Sequence, residues 1–595
     1  MHYEDILHRV GHFGKYQKLV IVLVSMIEIP TACHFLAQVF LAASTDHWCM
    51  VPASQAVNCS RLQLDSVSTC QEAQKNESIP YELDADGNRV YSSCERYSIE
   101  EDISENATDV IACDAGWDFD RSRYKSTINE EFNLVCDRED FAGIAQSVWF
   151  AGLLTGSLVW GSVGDWLGRR KTFFLSLTLV SISSIVTAFV PSFAAFTTLR
   201  FFTAACACGA AFMTFVISLE IVGASKRVLV GTVAAIMFAL GYIFLSFFAY
   251  FIREWRHLQL AISLPYVVAF LLLLVFPESP RWLISKGRFT EARQIIAKIA
   301  KVNGTEVPVS LLENLENFQD NEKDHKPKSF HRTTLLDLFR TPNIRKKTFI
   351  IFFAWFVANM AYYGLSLSTS SLGIDDYVAA FVSAALEIPS YLFCWFFMDK
   401  CGRRFSLASL FVSGGVLCLI TIFVPLESIP DPARFPRVFS ACNPDPFLSA
   451  VGVGRVVVAM MGKFAISAAF SHIYIYSCEL FPTVIRSVGL GASSMAARIS
   501  GILCPIILIL GKYWEPLPLC VFGGGSVLAG LLSLILPETL CRDMPDTVQD
   551  GEDAGLGLNL GRCCQKDSLD SNDSKPLDNY LPLSTIEKSR NERAV

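Results

Sequence analysis

Gly161-Ser162-Val163-Gly164-Asp165-Trp166-Leu167-Gly168-Arg169-Arg170-Lys171 sits between two apolar blocks, and a shortened copy, Asp399-Lys400-Cys401-Gly402-Arg403-Arg404, sits between two others. Both read acid, two variable residues, glycine, paired arginines. Such a stretch suits a tight turn joining two helices, with the acid able to complement a helix terminus. A single copy could be accidental. Two copies, each after the second of six apolar blocks, point to a duplicated transporter unit.

Working outward, apolar blocks of about twenty residues recur along the chain, each long enough to cross a ~30 Å hydrocarbon core. The 595 residues are 52% hydrophobic and only 18% charged, with a mean hydropathy of +0.38. A soluble chain is usually about a quarter charged. The pattern predicts an all-α membrane protein with twelve transmembrane helices in two six-helix halves. The spans fall at 19–43, 142–164, 172–191, 194–222, 229–251 and 258–276, then 346–368, 377–397, 405–425, 448–477, 487–510 and 515–537. The domains are then an N-terminal segment 1–18, a first half 19–276 with a large loop 44–141, a connection 277–345, a second half 346–537, and a polar tail 538–595 expected to be disordered.

Charge sets the orientation. Between Thr45 and Asp140 there are 21 Asp and Glu against 8 Lys and Arg, while the turns and the connection are basic. Basic loops stay in the cytosol, so the acidic loop is expected outside and both termini in the cytosol of a multi-pass cell-membrane protein. Met1–Lys18 lacks the apolar stretch of a signal peptide. The loop also carries sequons at Asn58, Asn76 and Asn106 and six cysteines, Cys49, Cys59, Cys70, Cys94, Cys113 and Cys136. Three disulfides are expected in that oxidising location, with fifteen pairings open.

The two halves end alike, in Pro277-Glu278-Ser279-Pro280-Arg281-Trp282-Leu283 and in Pro537-Glu538-Thr539. The prolines stop the helices and are expected to leave the acids in water. Phe289–Val302 has an amphipathic pattern and is expected to lie along the cytosolic face. Cys563-Cys564 after Arg562 reads as an exposed pair, with palmitoylation the alternative.

Val10-Gly11-His12-Phe13-Gly14-Lys15-Tyr16-Gln17, Asp46-His47-Trp48-Cys49, Glu131-Phe132-Asn133-Leu134-Val135-Cys136-Asp137, the Pro277–Leu283 motif and Glu479-Leu480-Phe481-Pro482-Thr483-Val484-Ile485-Arg486 resemble the organic ion transporter family of solute carriers. That family lies within the major facilitator superfamily, and the resemblance runs from about residue 5 to 545. Tyr362-Tyr363-Gly364-Leu365-Ser366-Leu367 and Gly462–Phe470 look most like its organic cation and carnitine branch. The resemblance implies the major facilitator fold and alternating-access transport of carnitine-like zwitterions, organic cations or carboxylates.

Ionisable residues at membrane depth are costly and mark candidate sites. Arg498 lies mid-span, where the resemblance implies aspartate in cation-selective members and arginine in anion and carnitine carriers. A guanidinium fork suits a carboxylate. Tyr362 and Tyr363, with Trp355 and Phe356 nearby, are candidates for a quaternary ammonium, which ring faces attract. Glu28, Glu387 and Lys463 complete the candidate substrate residues, with Lys463 a partner for an acid such as Glu387. Asp165, Gly168, Arg169, Arg170, Asp399, Arg403 and Arg404 are assigned gating or structural roles, as are Glu479 and Arg486, read as a gate pair. Arg200 is read as an anchor near the interface, and His34 as a packing histidine. Ala210-Ala211 stand where the resemblance implies a polar Asn-Tyr pair, which counts against carnitine itself.

No cofactor or metal spacing is found, no Walker A sequence is present, and nothing points to nucleic acid. Sodium, protons or the membrane potential could each drive uptake. Expected partners are a small organic ion and membrane lipid, with the outer loop a candidate self-association surface. Two alternatives stand beside transport of organic ions: a receptor or adhesion scaffold built on the loop, and a sugar-type facilitator. An enzyme is not supported, because no nucleophile–base pattern is found.

Overall fold

The computed structural model describes residues 7–553 apart from 8–9, 12, 52–74, 77, 84–88, 99–109, 224–225, 275, 306–334, 369–374, 425–445, 541–544 and 546. Ten helices among the described residues are long and apolar enough to cross a membrane. They are α1 (Lys15–Leu41), α2 (Asp140–Leu167), α4 (Phe193–Glu220), α5 (Arg227–Phe251), α6 (Trp255–Val268, continued by a 3₁₀ turn), α7 (Pro342–Leu367), α8 (Asp376–Cys401), α9 (Arg403–Phe423), α10 (Pro446–Leu480) and α11 (Arg486–Leu510). Two further helices, α3 (Arg169–Thr187) and α12 (Leu517–Ser533), complete a set of twelve.

Packing follows the duplication. In the first half α1 packs on α5, α2 on α4, and α3 on both α4 and α6. The second half repeats this with α7 on α11, α8 on α10, and α9 on both α10 and α12. The halves meet through two equivalent seams, α2 against α11 and α5 against α8. Each seam of one kind has its partner under the same exchange of halves, as a pseudo-two-fold requires.

The paired turns become paired clamps. Gly168 (φ 99°, ψ 158°) and Gly402 (φ 82°, ψ 163°) take backbone conformations that are essentially reserved for glycine. They end α2 and α8 and start α3 and α9. Arg169 then bonds Asp165 at 2.8 Å and Glu220 of α4 at 3.0 Å. Arg403 makes the matching pairs, to Asp399 at 3.3 Å and Glu479 of α10 at 3.2 Å. Glu278 is not left in water. It accepts the backbone N–H groups of Arg169 (2.9 Å) and Arg170 (3.3 Å), and so caps α3. Its half-burial raises its carboxyl pKa above the usual value, against those N–H bonds. Glu538 caps α9 in the same way, through Arg403 and Arg404 at 2.8 and 3.1 Å.

The 44–141 loop is not purely helical or irregular. Its described residues form three short antiparallel pairs: β1 (His47–Cys49) with β6 (Trp117–Phe119), β2 (Tyr81–Leu83) with β3 (Arg89–Tyr91), and β4 (Glu95–Tyr97) with β5 (Val110–Ala112). Two of the expected disulfides are present, Cys49–Cys113 and Cys94–Cys136. Cys59 and Cys70 lie outside the described residues, as do Asn58, Asn106 and Cys563-Cys564. Buried Arg96 grips Asp114 at 2.8 and 3.0 Å, and this hydrogen-bonded fork holds the Asp114 carboxyl below its usual range.

Described segments around Val10–Tyr16 and Val548–Asp553 pack against residues of the 277–345 connection. The amphipathic segment is a helix, Phe289–Asn303, with Ile296 and Ile299 buried. Its Asn303 receives the Tyr16 N–H at 3.0 Å and donates to the Val10 carbonyl at 3.0 Å. The tail, expected to be disordered from 538, instead forms a helix at Val548–Asp553. There Glu552 accepts the Asn343 and Ile344 N–H groups at the start of α7, at 2.9 and 3.0 Å. Residues 554–595 lie outside the described residues.

An added Cβ at Gly168 or Gly402 would meet Glu278 Oε2 or Glu538 Oε2 at 2.6 Å. Gly168→Ala and Gly402→Ala are each expected to cost about 1–3 kcal/mol through backbone strain alone. Thermal unfolding of the detergent-purified protein reads this, and an unchanged midpoint for both variants contradicts the clamp geometry.

Candidate substrate site

Two spanning helices are interrupted at a glutamate. In α1 the regular helix ends at Ser25 and resumes at Glu28, and in α8 it ends at Ala385 and resumes at Glu387. Pro30 and Pro389 follow two residues later, and each lacks the N–H that would continue the ladder.

Glu387 is wholly buried, and so is Lys463 of α10, whose Nζ lies 3.2 Å from its Oε1. The carboxylate also accepts the hydroxyls of Tyr362 (2.8 Å) and Tyr391 (3.2 Å). Lys463 donates to Ser366 Oγ and lies over the rings of Tyr362 (4.7 Å) and of Tyr242 (5.6 Å), the latter from α5 of the other half. Sequence reasoning missed Tyr391, Ser366 and Tyr242. The first two stand four residues after Glu387 and Tyr362, on the same helix faces, so helical spacing held a signal for them.

An aromatic run continues from this pair. Tyr362 stacks on Phe470 with centroids 5.4 Å apart, and Phe470 contacts Tyr474 at 5.6 Å. Tyr474 meets Trp355 at 4.2 Å, while Phe356 packs at the core edge. Tyr363 touches Phe150 of α2 at 4.9 Å and Phe35 of α1 at 6.0 Å, and so crosses between the halves. Lys463, Phe470 and Tyr474 share one face of α10, at intervals of seven and four. Tyr474 is 45% exposed at the end of this run.

Arg498 occupies the middle of α11 and is half-buried. It donates to the Ser494 carbonyl at 3.1 Å and to the Ser494 hydroxyl, and its Nη2 lies 3.9 Å from Cys208 Sγ of α4. No carboxylate pairs with it among the described residues. Glu28 is half-buried as well, and no hydrogen bond or ion pair to it is found among those residues. Phe35, which Tyr363 touches, stands seven residues after Glu28 along α1, and Tyr363 and Tyr474 each lie in the electrostatic field of both Arg498 and Glu28.

Other expectations change. Arg200 is not near an interface but fully buried. It donates to the His34 carbonyl (3.3 Å) and to Gln146 Oε1 (3.3 Å), with Trp149 under its guanidinium at 4.3 Å. His34 is a packing histidine, stacked on Tyr266 and near Ser263 Oγ at 3.4 Å. The expected Glu479–Arg486 gate pair is not made here. Glu479 serves Arg403 and Thr539, while Arg486 donates to the Phe481 carbonyl at 3.1 Å. Ala210 is buried in the first half's core. His47, Cys94 and Cys136 cluster closely, but both cysteines are spent in a disulfide.

Residues 112–544 match the family described as sugar (and other) transporter. The chain is 39% identical over 557 residues to the organic cation transporter protein of Drosophila melanogaster, covering 93% of this chain and 95% of that one. It is 35% identical over 560 residues to organic cation/carnitine transporter 2 of Homo sapiens, covering 92% and 93%. To the carcinine transporter of Drosophila melanogaster it is 34% identical, covering 94% and 81%. Its fold is similar to the inward-open conformation of the xylose transporter from E. coli, with a TM-score of 0.50 at 16% identity, covering 72% of this chain and 93% of that one. These relatives are membrane transporters, which removes the receptor and enzyme readings. With twelve bundle helices among the described residues, arranged in two related halves, the chain belongs to the organic ion transporter family of solute carriers, in the organic cation and carnitine branch of the major facilitator superfamily, and is a secondary transporter of organic ions.

Proposed function

We propose that this transporter moves organic ions bearing a carboxylate, zwitterions included, across the plasma membrane, and that Arg498 binds the carboxylate. The observation that carries this reading is the half-buried Arg498 guanidinium at membrane depth between the halves, with no carboxylate partner among the described residues. A planar fork of donors with no protein carboxylate suits a ligand that brings its own. Tyr363 and Tyr474 offer ring faces to the other end of the cargo. The basic turns support a reading with the termini in the cytosol and the 44–141 loop outside, where Asn58, Asn76 and Asn106 are glycosylation candidates. Ala210-Ala211 offer no polar contact, so the site need not favour carnitine over other zwitterions. The alternating-access cycle brings this site to one face of the membrane and then the other.

The Glu387–Lys463 pair has a different part in this reading. With both carboxylate oxygens occupied and no exposure, it holds α7, α8 and α10 together rather than touching cargo.

In oocytes, Arg498→Ala is expected to lower radiolabelled carnitine uptake by about 10- to 100-fold, the equivalent of one charge-assisted hydrogen-bonded contact of roughly 1.5–3 kcal/mol. Tetraethylammonium uptake should fall far less. Intact carnitine uptake in a variant that reaches the surface would sink the assignment, provided the wild type transports it. Separately, Glu387→Gln strands a buried ammonium and should cost about 3–5 kcal/mol of stability, whereas Glu387→Gln with Lys463→Met should cost less. Thermal unfolding of the purified variants decides this. A double variant less stable than the single one excludes a pairing role.

A further inference from the structure

The two helix interruptions share a sequence. Ile27-Glu28-Ile29-Pro30-Thr31 in α1 and Leu386-Glu387-Ile388-Pro389-Ser390 in α8 both read aliphatic, Glu, Ile, Pro, hydroxyl. The duplication does not account for this, because α1 corresponds to α7 in the packing of the halves. Each hydroxyl bonds a nearby carbonyl in its own helix, Thr31 to Ile27 at 2.8 Å and Ser390 to Glu387 at 2.7 Å. The same local device therefore sets one glutamate at an interruption in each half.

The two glutamates have opposite surroundings. Glu387 has an ammonium and two phenol hydroxyls. Glu28 has none of these among the described residues. On its own half, Tyr266 of α6 donates its hydroxyl to Thr31 Oγ1 at 3.3 Å, three residues beyond Glu28, and lies in the field of Glu28. From the other half come Tyr363, Tyr474 and Arg498. Arg498 is the one permanent cation in this set, and it is already hydrogen-bonded to Ser494.

We infer that Glu28 receives the cationic end of the cargo, so that the site has a negative pole on α1 and a positive pole on α11 with tyrosine faces between them. This rests on the reading of Arg498 as the carboxylate pole. A quaternary ammonium donates no hydrogen bond, so it is held by charge and by rings. A carboxylate in a partly dry cavity attracts it far more strongly than one in water. The ligand class is an ammonium or quaternary-ammonium carboxylate whose two charges span from one half of the protein to the other.

The test uses the full chain in oocytes, with surface biotinylation as control and three labelled probes: carnitine, tetraethylammonium and benzoate. Glu28→Gln is expected to raise KM for carnitine and tetraethylammonium about tenfold or more, with benzoate changed less than twofold, and Glu28→Asp should recover part of the loss. Equal loss of all three probes at normal surface level would reduce Glu28 to a structural residue. Unchanged KM values with a flattened pH dependence would make it a proton carrier and overturn the inference. Arg498→Ala separates the two readings. If it spares carnitine and benzoate, the carboxylate pole fails. If it removes both while Glu28→Gln leaves cation KM unchanged, only the Glu28 inference falls.

Discussion

A charged group at membrane depth has lost its hydration, and the fold has to supply a replacement. Lys463 and Glu387 supply each other, with three hydroxyls filling the remaining valences. Arg200 uses a carbonyl, a glutamine oxygen and the face of Trp149. These groups are thereby committed to structure. Glu28 and Arg498 are treated differently, since each keeps some exposure and neither has a counter-charge among the described residues. They also come from opposite halves. On the proposed reading, the deep charges that the fold fully satisfies build walls, and the two half-exposed ones leave room for a ligand to finish the match.

That arrangement needs halves that hold their own shape. The clamps on the terminal face provide it, since Arg169 links the α2–α3 turn to α4 and Arg403 links the α8–α9 turn to α10. Both operate within one half. At the opposite end the halves are joined directly. Arg123 pairs with Asp375 at 2.9 Å, Lys512 with Glu139 at 3.1 Å, and Phe40 stacks on Tyr377 at 5.5 Å. Small polar and aromatic contacts of this kind can separate without unfolding either half, as a rocking of rigid units requires.

Much of this was legible in the chain. The two turns revealed the duplication because a glycine with positive φ and a fixed acid–arginine spacing leave a local signature. Lys463 as a partner for Glu387 could be read as well, because two opposite charges at similar depth have few other options. Elsewhere the reading failed for identifiable reasons. Glu479 and Arg486 are close in sequence, but the clamp offers Glu479 an arginine from another helix. Glu278 read as solvated because nothing in its neighbourhood shows the start of α3 folding over it. The strands of the outer loop are three residues each, too short for an alternation to show. Tyr474 and Phe470 were lost among 17 tyrosines and 45 phenylalanines, and only their shared helix face and contacts single them out.

The placement of the two poles bears on how cargo could drive the cycle. A ligand shifts a conformational equilibrium only by binding one state better than another. The seam passes directly through the site, where Arg498 approaches Cys208 and Tyr363 touches Phe150 and Phe35. On the proposed reading, a molecule with one charge engages one half and gains little from the other half approaching. A zwitterion engages both, so its binding grows as the halves close around it. Closure is then favoured by the charge pattern of the cargo itself. That Glu28 has no cation partner among the described residues is what this reading turns on, because a protein cation in that position would satisfy it in every conformation and remove the difference.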